Sequence, residues 1–447
     1  MSVSRWYADL AWIGRPASRV LIEADSDRIT AVTEDTEPTP DAVRLPGVTV
    51  PGLVNAHSHA FHRALRGRTQ AGAGDFWAWR EQMYAVAARL DPDSYYALAR
   101  ATYAEMALAG ITAVGEFHYL HHGPAGRPYA DPNAMGSALV RAAADAGVRL
   151  TLLDTCYLQA DVEGGPLAGP QLRFTDWNAD RWTTRVERLG GNERVRIGAA
   201  IHSVRAVDPA SIATVATWAG ERSAPLHVHL SEQRAENDAC RAVHGATPTA
   251  LLADAGVLGE RTTAVHATHL ERADVELLGR SRTSVCMCPT TERDLADGIG
   301  AASALASAGS PLCLGSDSHA VIDLWEEARG VELDERLATE RRGHHRPEDL
   351  LHAATAGGAV ALGWDAGRLE RGALADFVTV RTDTPRLAGV TAQTLAAHLV
   401  FAATSSDVST VVVGGRMVVQ DGRHLGVPDV AGELAGAISS LDLRAGA

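Results

Sequence analysis

Eight short apolar segments between residues 49 and 319 are the feature that most constrains the fold of this chain. They are Thr49–His57, Ile111–His118, Arg149–Leu158, Val195–His202, Leu226–Leu230, Thr262–His269, Thr283–Cys288 and Pro311–Ser316. Helix-like stretches alternate with them; one, Ser94 to Ala109, follows the start signal Asp91-Pro-Asp-Ser94. Eight such repeats over this length predict a closed parallel barrel rather than an open sheet.

The two ends of the chain have a different pattern. Short β-type pieces such as Val20–Ala24 and Arg28–Val32 precede the barrel, and Asp376–Val380 and a hairpin around Gly414-Gly415 follow it. We therefore expect an α/β protein with a distorted (β/α)₈ TIM-type barrel over residues 49–370. Residues 1–48 and 371–447 are expected to form a small β-sandwich domain from both chain termini.

Residues that can bind a metal stand at the ends of four of the apolar segments. His57 and His59 are two apart, and residues i and i+2 of a strand point to the same face. Later segments end with His229, His266 and Asp317, the first of these followed closely by Glu232. Alone, a buried histidine is more often a core residue and a strand-end aspartate a helix cap. Together they predict a metal-centred active site at the carboxyl ends of the barrel strands.

Composition excludes several other kinds of chemistry. The chain contains no lysine, so all 41 of its Lys+Arg residues are arginine; Schiff-base chemistry, a Walker-type phosphate loop and a carboxylated lysine bridging two metals are ruled out. A net charge of −14 without a basic run argues against nucleic acid as a partner. No apolar stretch is long enough to span a membrane. The scattered cysteines and the absence of a signal-peptide pattern favour the cytoplasm, and we expect a homodimer.

The ligand-type residues and several further stretches resemble the amidohydrolase superfamily, and within it the N-formimino-L-glutamate deiminases of histidine degradation. The resemblance covers essentially the whole chain. The stretches that carry it are Asn55–Phe61, Glu116–His122, Gly126–Pro132, His202–Val207, His229–Gln233, Val265–His269, Cys288–Glu292, Gly315–His319 and Gly372–Val380. The absence of lysine excludes the two-metal arrangement bridged by a carboxylated lysine, and His229 with Glu232 resembles the one-metal deaminase branch. The resemblance therefore implies one divalent metal per chain, expected to be zinc.

Matched position by position, the resemblance implies a role for each site residue. The implied metal ligands are His57, His59, His229 and Asp317. The implied catalytic pair is Glu232 with His266, and the implied contacts to the substrate carboxylates are Arg80, Tyr119, His202 and Arg205. The chain departs from the family at His62, where a glutamine is common. An imidazole and an amide can both donate to an oxygen, so His62 is kept as a candidate substrate contact.

The resemblance implies a hydrolytic deamination of N-formimino-L-glutamate to N-formyl-L-glutamate and ammonia, and the chemistry of the site residues is compatible with it. Three imidazoles and a carboxylate around a metal leave a position for water, whose pKa the metal lowers to about 7. Asp317 is suited to take the proton of this water, His266 to stabilise the tetrahedral intermediate, and Glu232 to protonate the leaving nitrogen. A dianionic small molecule needs local cations in an acidic protein, and arginine suits bidentate carboxylate recognition.

Two other functions stay open from the sequence alone. A nucleobase or aminoazine deaminase of the same superfamily would share the metal site but would need a pocket for a flat ring instead of paired arginines. A non-catalytic barrel that serves as a scaffold would share only the fold, and the presence of every ligand-type residue together with Glu232 speaks against it. For His227 the favoured interpretation is structural.

Overall fold

The structure, a computed structural model, describes residues 3–70 and 76–443. The strands in these residues are β1 (Ser4–Trp12), β2 (Pro16–Asp25), β3 (Arg28–Thr33), β4 (Val43–Pro51), β5 (Leu53–Ser58), β6 (Ile111–His118), β7 (Arg149–Cys156), β8 (Val195–Ile201), β9 (Leu226–Leu230), β10 (Thr262–His266), β11 (Ser284–Met287), β12 (Leu312–Leu314), β13 (Phe377–Val380), β14 (Val408–Val413), β15 (Arg416–Gln420) and β16 (Arg423–His424). They divide into two sheets.

Helices fill most of the connections. They are α1 (Phe76–Arg89), α2 (Pro92–Leu108), α3 (Ala134–Ala146), α4 (Ala179–Val186), α5 (Pro209–Glu221), α6 (Arg234–His244), α7 (Pro248–Asp254), α8 (Arg272–Ser281), α9 (Pro289–Asp294), α10 (Ala302–Ala308), α11 (Leu324–Thr339), α12 (Pro347–His352), α13 (Gly358–Ala361), α14 (Leu395–Ala402) and α15 (Val430–Ser440). A π-helical turn, Ala353–Gly357, joins α12 to α13. Short 3₁₀ turns cover Ala60–Leu65, Pro124–Gly126, Gly169–Arg173, Ala392–Thr394 and Ser405–Asp407. Across the described ranges, no helix is both long and apolar enough to cross a membrane.

The barrel is built from β5 to β12, which lie side by side in chain order and run parallel. A parallel bridge between Ser58 and Asp317 joins the end of β5 to the residues just after β12. The ring of strands is thereby nearly closed. The predicted (β/α)₈ barrel is confirmed, and every barrel strand ends on the same face of the molecule.

The two chain ends form a second sheet of eight strands in the order β16-β15-β14-β13-β4-β1-β2-β3. Strand β4 is its centre: it pairs with β1 in parallel and with β13 antiparallel. The expected β-domain made from both termini is therefore present, as one continuous hydrogen-bonded ladder. We propose residues 1–48 and 371–447 as this domain and residues 49–370 as the catalytic barrel.

The apolar run Thr49–His57 contains parts of two strands rather than one. Its first residues belong to β4 of the terminal sheet, and β5 of the barrel begins at Leu53. The chain changes sheets at Gly52, whose amide donates to the Asp376 carbonyl. A Cβ at this glycine would lie 2.2 Å from the hydroxyl oxygen of Thr112, so only glycine lets the chain pass here.

Helix α2 begins where the sequence predicts. Asp91 caps it, because its carboxylate accepts from the Ser94 amide at 2.8 Å while the Ser94 hydroxyl accepts from the Asp91 amide at 2.9 Å. The helix ends at Leu108, just before Gly110. Local capping therefore fixes the first helix that packs against the start of the barrel.

A buried ion pair connects the barrel to the terminal sheet. Nε of Arg149, at the start of β7, lies 2.7 Å from Oδ2 of Asp376, and both side chains are fully buried. The same carboxylate accepts from the Gly414 amide at 2.7 Å. Removing one partner of such a pair leaves an uncompensated buried charge.

We expect Asp376→Ala to lower the free energy of unfolding by about 3–5 kcal/mol, since Arg149 would stay buried without its partner. The measurement is the midpoint of urea-induced unfolding followed by circular dichroism. Asp383→Ala is the matched control, because the Arg381–Asp383 pair is exposed and an exposed pair contributes little to stability. Equal midpoints for the two variants would contradict the role given to Asp376.

Candidate metal centre and active site

The side chains predicted as metal ligands meet at the carboxyl ends of the barrel strands. One ligand atom each from His57, His59, His229 and Asp317 lies within 4.8 Å of the others. Nε2 of His57 is 3.1 Å from Nε2 of His229 and 3.2 Å from Oδ1 of Asp317. Nε2 of His59 is 3.3 Å from the same carboxylate oxygen. Three ring nitrogens and one carboxylate oxygen therefore surround a common point, and all four residues are buried.

Backbone carbonyls orient two of these rings. Nδ1 of His59 is 2.9 Å from the carbonyl oxygen of Phe117, and Nδ1 of His229 is 2.9 Å from that of His202. Because a carbonyl only accepts, each Nδ1 carries the proton and each Nε2 directs a lone pair to the common point.

The donor set fits a divalent cation. Burial lowers the pKa of His57 to about 3 and holds the pKa of His229 well below its usual value, so both rings are neutral. Inward-facing lone pairs and a carboxylate oxygen this close together repel one another unless a cation lies between them. Three neutral imidazoles with one carboxylate suit a zinc-type ion that keeps a further coordination position open.

Backbone geometry at two strand ends aims the site residues inward. His266 and Asp317 have φ angles of 69° and 40°, in the left-handed region that residues other than glycine rarely occupy. The Asp317 amide donates to the His57 carbonyl at 3.1 Å, and the His59 amide donates to the Asp317 carbonyl at 3.3 Å. Such conformations cost about 1–3 kcal/mol each, so the surrounding fold must hold them in place.

Glu232 and His266 face the metal ligands from one side. Nε2 of His266 is 3.7 Å from Oε1 of Glu232 and 3.7 Å from Oδ2 of Asp317. Burial raises the pKa of the Glu232 carboxyl, and the nearby Asp317 raises it further. Burial alone would lower the pKa of His266, but Glu232, Glu292 and Asp317 outweigh it and raise that pKa well above its usual value. A protonated imidazole among carboxyl groups is the result.

Glu292 is a site residue to which the sequence reasoning gave no role. Its Oε1 lies 3.4 Å from Nδ1 of His266 and accepts from the Cys288 amide at 2.9 Å. The buried carboxylate therefore fixes the ring that faces Glu232 and stabilises its positive charge. The signal was present, because Glu292 ends the stretch Cys288–Glu292 that carries part of the resemblance.

A second buried network supports the first strand of the site. Ser58 lies between His57 and His59 in the chain, and its hydroxyl donates to Oε2 of Glu116 at 2.7 Å. The Ala60 amide donates to Oε1 of the same carboxylate at 2.7 Å. Nε2 of His319 lies 3.2 Å from the Ser58 hydroxyl oxygen, and Nδ1 of the same ring lies 3.0 Å from the Ser316 hydroxyl oxygen. These bonds tie the end of β5 to the residues that follow β12, where Asp317 stands.

The residues predicted to contact substrate share one cavity of about 290 Å³ that opens onto the ligand cluster. His62, Arg80, Tyr119, His202 and Arg205 all line it. NH1 of Arg205 is 3.4 Å from the Tyr157 hydroxyl. The guanidinium of Arg80 lies over the Trp77 ring, 4.4 Å from its centroid. The cavity thus has arginine cations set among aromatic rings.

His62 is buried in this wall. Its Nε2 lies 2.9 Å from the Tyr119 hydroxyl, and burial holds its pKa well below the usual value. Its ring also packs edge-on against Trp79. As a neutral ring that touches Tyr119, His62 can orient that hydroxyl towards the cavity.

Three further cavity residues were not singled out from the sequence. Tyr84, Tyr157 and Glu236 line the same space. Glu236 lies four residues after Glu232, a spacing that could have identified it, whereas the two tyrosines come from separate elements and have no local signal. His227, in contrast, lies outside the cluster and pairs with the Ala361 carbonyl at 3.1 Å, in agreement with its structural interpretation.

A second set of metal-type side chains, His118, His121 and Asp154, is buried behind the cavity. Both carboxylate oxygens of Asp154 accept from the guanidinium of Arg185, at 2.7 and 2.8 Å. Oδ1 of Asp154 also accepts from the indole of Trp182 at 2.9 Å. Because Arg185 already balances this carboxylate, we interpret the set as a buried packing network.

Comparison with known proteins agrees with the family resemblance noted from the sequence. The model of the amidohydrolase family matches residues 48–418. Formimidoylglutamate deiminase from Pseudomonas aeruginosa is 38% identical, over 92% of this chain and 93% of that protein. A 5-methylthioadenosine/S-adenosylhomocysteine deaminase from Natronomonas pharaonis is 32% identical, over 90% of this chain and 88% of that protein.

A solved structure has the same fold throughout. The crystal structure of an amidohydrolase from Brucella melitensis superposes with a TM-score of 0.90 at 32% sequence identity, covering 98% of this chain and 99% of that one. The match extends over both the barrel and the terminal sheet. This chain belongs to the amidohydrolase family and is a metal-dependent hydrolase of carbon–nitrogen bonds.

Proposed function

We propose that this enzyme hydrolyses N-formimino-L-glutamate to N-formyl-L-glutamate and ammonia, a step of histidine degradation. Water adds to the formimino carbon, and the bond from that carbon to the terminal nitrogen breaks. The observation that carries the proposal is the pair of arginines, Arg205 and Arg80, in the cavity beside the ligand cluster. The similarity to a formimidoylglutamate deiminase supports it.

A substrate with two carboxylates explains why the cavity contains two arginines. Arg205 is close enough to Glu232 to lower the pKa of that carboxyl, so it would hold the carboxylate nearer the reacting carbon. Arg80, on α1 beside Trp77 and Tyr84, would hold the other. The rings of Tyr119 and His202 lie 5.3 and 5.2 Å from those of His59 and His229, where their polar atoms would contact the near carboxylate.

We assign His57, His59, His229 and Asp317 as the ligands of one divalent metal, expected to be zinc. When bound, such an ion supplies Lewis acidity and makes water a nucleophile near neutral pH. Oδ1 of Asp317 faces the rings of His57 and His59, whereas Oδ2 faces His266. This second oxygen is placed to accept a proton from the attacking water.

Glu232 and His266 have complementary tasks in the proposed reaction. A raised pKa suits a carboxyl to carry a proton, so Glu232 would deliver it to the nitrogen that leaves as ammonia. His266, kept protonated by its acidic neighbours, would stabilise the negative charge that develops on oxygen in the tetrahedral intermediate. His62 would act through Tyr119.

A nucleobase or aminoazine deaminase is the second candidate. Trp77, Trp79, Tyr84 and Phe174 line the cavity, and aromatic side chains can stack on a flat ring. The similarity to a deaminase of adenosine derivatives also favours it. Against it, a neutral ring supplies no anion for Arg205 and Arg80, the two arginines that line the cavity. The ratio of ammonia release from formiminoglutamate to that from guanine or cytosine separates the two.

We also propose that the enzyme acts as a homodimer in the cytoplasm. All five cysteines are unpaired and buried, which suits a reducing compartment. On α11, Leu337 has 79% of its side chain exposed and Leu333 has 36%, and these residues could contribute to contact between subunits. Light scattering of the purified protein measures the oligomeric state.

One metal per chain is the first expected outcome. Elemental analysis should give about one zinc per polypeptide, and His59→Ala should lose metal and activity together, because three remaining ligands cannot hold the ion as tightly. His244→Ala, a change on the outer part of α6, is the control and should keep both. Two metals per active chain would contradict the assignment.

Glu232→Gln should retain the metal but lower kcat by about a hundredfold or more, because the amide keeps the shape of the side chain and cannot carry the proton. Metal content and ammonia release, measured on the same preparation, separate catalysis from metal binding. A nearly active variant would leave Asp317 and His266 as the acid–base groups.

Arg205→Met should lower kcat/KM for formiminoglutamate roughly 30- to 150-fold, since a substrate carboxylate would lose its charged partner. This fall corresponds to a loss of about 2–3 kcal/mol in transition-state stabilisation. Metal content should not change. Arg234→Met is the control, because Arg234 is exposed at the start of α6. If the two variants turned the substrate over equally well, Arg205 would not be its carboxylate contact.

A further inference from the structure

Glu236 is a partly exposed acidic residue that lines the cavity we propose binds a dianion. It lies in the first turn of α6, four residues after Glu232, and both side chains line the cavity. The Oε1 atom of Glu236 is buried and has no hydrogen-bond partner among the residues that the structure describes. A buried acceptor without a donor loses free energy unless the ligand that fills the cavity supplies one.

The neighbours of Glu236 make its position unusual for a carboxylate-binding site. Burial raises the pKa of Glu236 to about 7, while Arg205 and the Ser203 hydroxyl lower it and Glu232 raises it. Arg205 in turn has its pKa raised by Tyr157 and Glu236, against the effect of burial. Glu236 acts on Arg205 electrostatically, so its carboxyl, when ionised, would repel a substrate carboxylate bound at that guanidinium. The substrate must therefore carry a group whose interaction with Glu236 offsets this repulsion.

The amidine of the proposed substrate offers a donor where Glu236 needs one. Its two nitrogens share the reacting carbon: one leaves as ammonia, and the other stays on the α-carbon, next to the carboxylate that Arg205 would hold. The retained nitrogen carries an N–H, and the protonated amidine is a cation. An N–H of a cation is the strongest donor available to a carboxylate.

We propose that Glu236 is a specificity-determining residue that accepts the N–H of the amidine nitrogen retained in the product. This inference rests on the proposed function. Glu232 then protonates the leaving nitrogen, and Glu236 accepts a hydrogen bond from the retained one. Two carboxyl groups from one chain segment thus interact with the two nitrogens of the amidine. The pair selects a linear amidine attached beside a carboxylate over a plain dicarboxylate.

The alternative is that Glu236 only holds Arg205 in place, and two ligands separate the possibilities. N-formimino-L-glutamate has both carboxylates and the amidine, whereas glutarate has two carboxylates on the same carbon spacing and no nitrogen. The experiment measures kcat and KM for formiminoglutamate and the competitive inhibition constant of glutarate. The proteins are the metal-loaded wild type, Glu236→Gln, Glu236→Leu and the control Glu276→Gln. Glu276 is exposed on α8, away from the residues that line the cavity.

We expect kcat/KM for formiminoglutamate to fall about 3- to 10-fold in Glu236→Gln, which keeps an acceptor oxygen but not its charge. In Glu236→Leu the fall in kcat/KM should be about 10- to 100-fold, and in both variants it should come mainly from an increase in KM. Glutarate should bind these variants as tightly as the wild type or more tightly, because a competing carboxyl is gone. Metal content and melting temperature identify any variant that does not fold, and Glu276→Gln should match the wild type.

Parallel weakening of formiminoglutamate and glutarate would overturn the proposal, since that is the result expected if Glu236 only positions Arg205. Unchanged kinetics in both Glu236 variants would overturn it as well. If the wild-type enzyme does not hydrolyse formiminoglutamate, the proposed function itself fails. That outcome is distinct, because it is read from the wild type before any variant is compared.

Discussion

Closure of the barrel at its carboxyl end is the interaction on which the site depends. Two backbone hydrogen bonds join the end of β5 to Asp317, at 3.1 and 3.3 Å, and the bridge there pairs Ser58 with Asp317. The residues that close the ring of strands are therefore those that flank or form the metal centre. Because Glu116 and His319 fix Ser58 from both sides, the ligand geometry is a consequence of strand closure and does not rest on a flexible loop.

Much of this arrangement could be predicted from the sequence, because its signals are local. The i, i+2 spacing of His57 and His59 placed two rings on one face of a strand, and the Asp91–Ser94 capping pair predicted the start of α2, which the structure confirms. The apolar run from Thr49 was read as one strand and contains two, since hydrophobicity does not tell which sheet a strand joins. Pro51-Gly52 was visible as a break, but its cause, close contact with Thr112, comes from another strand.

The residues that sequence reasoning did not assign are those whose importance comes from neighbours distant in the chain. Glu292 acts on a histidine 26 residues earlier, and Tyr157 meets an arginine 48 residues later. No local pattern marks either contact. His62 differs in kind: its position was noticed as a departure from the family, and the contact with Tyr119 gives a physical reason why an imidazole can stand there.

Charge balance within the site supports the proposal that a strongly acidic protein binds a dianionic substrate beside several carboxyl groups. Asp317 faces His57 and His59 and would share the charge of a metal ion. Glu232 and Glu292 flank His266, whose pKa is raised far enough to keep it cationic. Each of these acids is offset within the site, and Arg80 stays available for substrate over its aromatic partners. Arg205 is the exception, because Glu236 acts on it. Under the proposed function, a ligand that brings both an anion for Arg205 and a donor for Glu236 would balance the charges of the cavity, a combination that an amino-acid amidine has and a neutral heterocycle lacks.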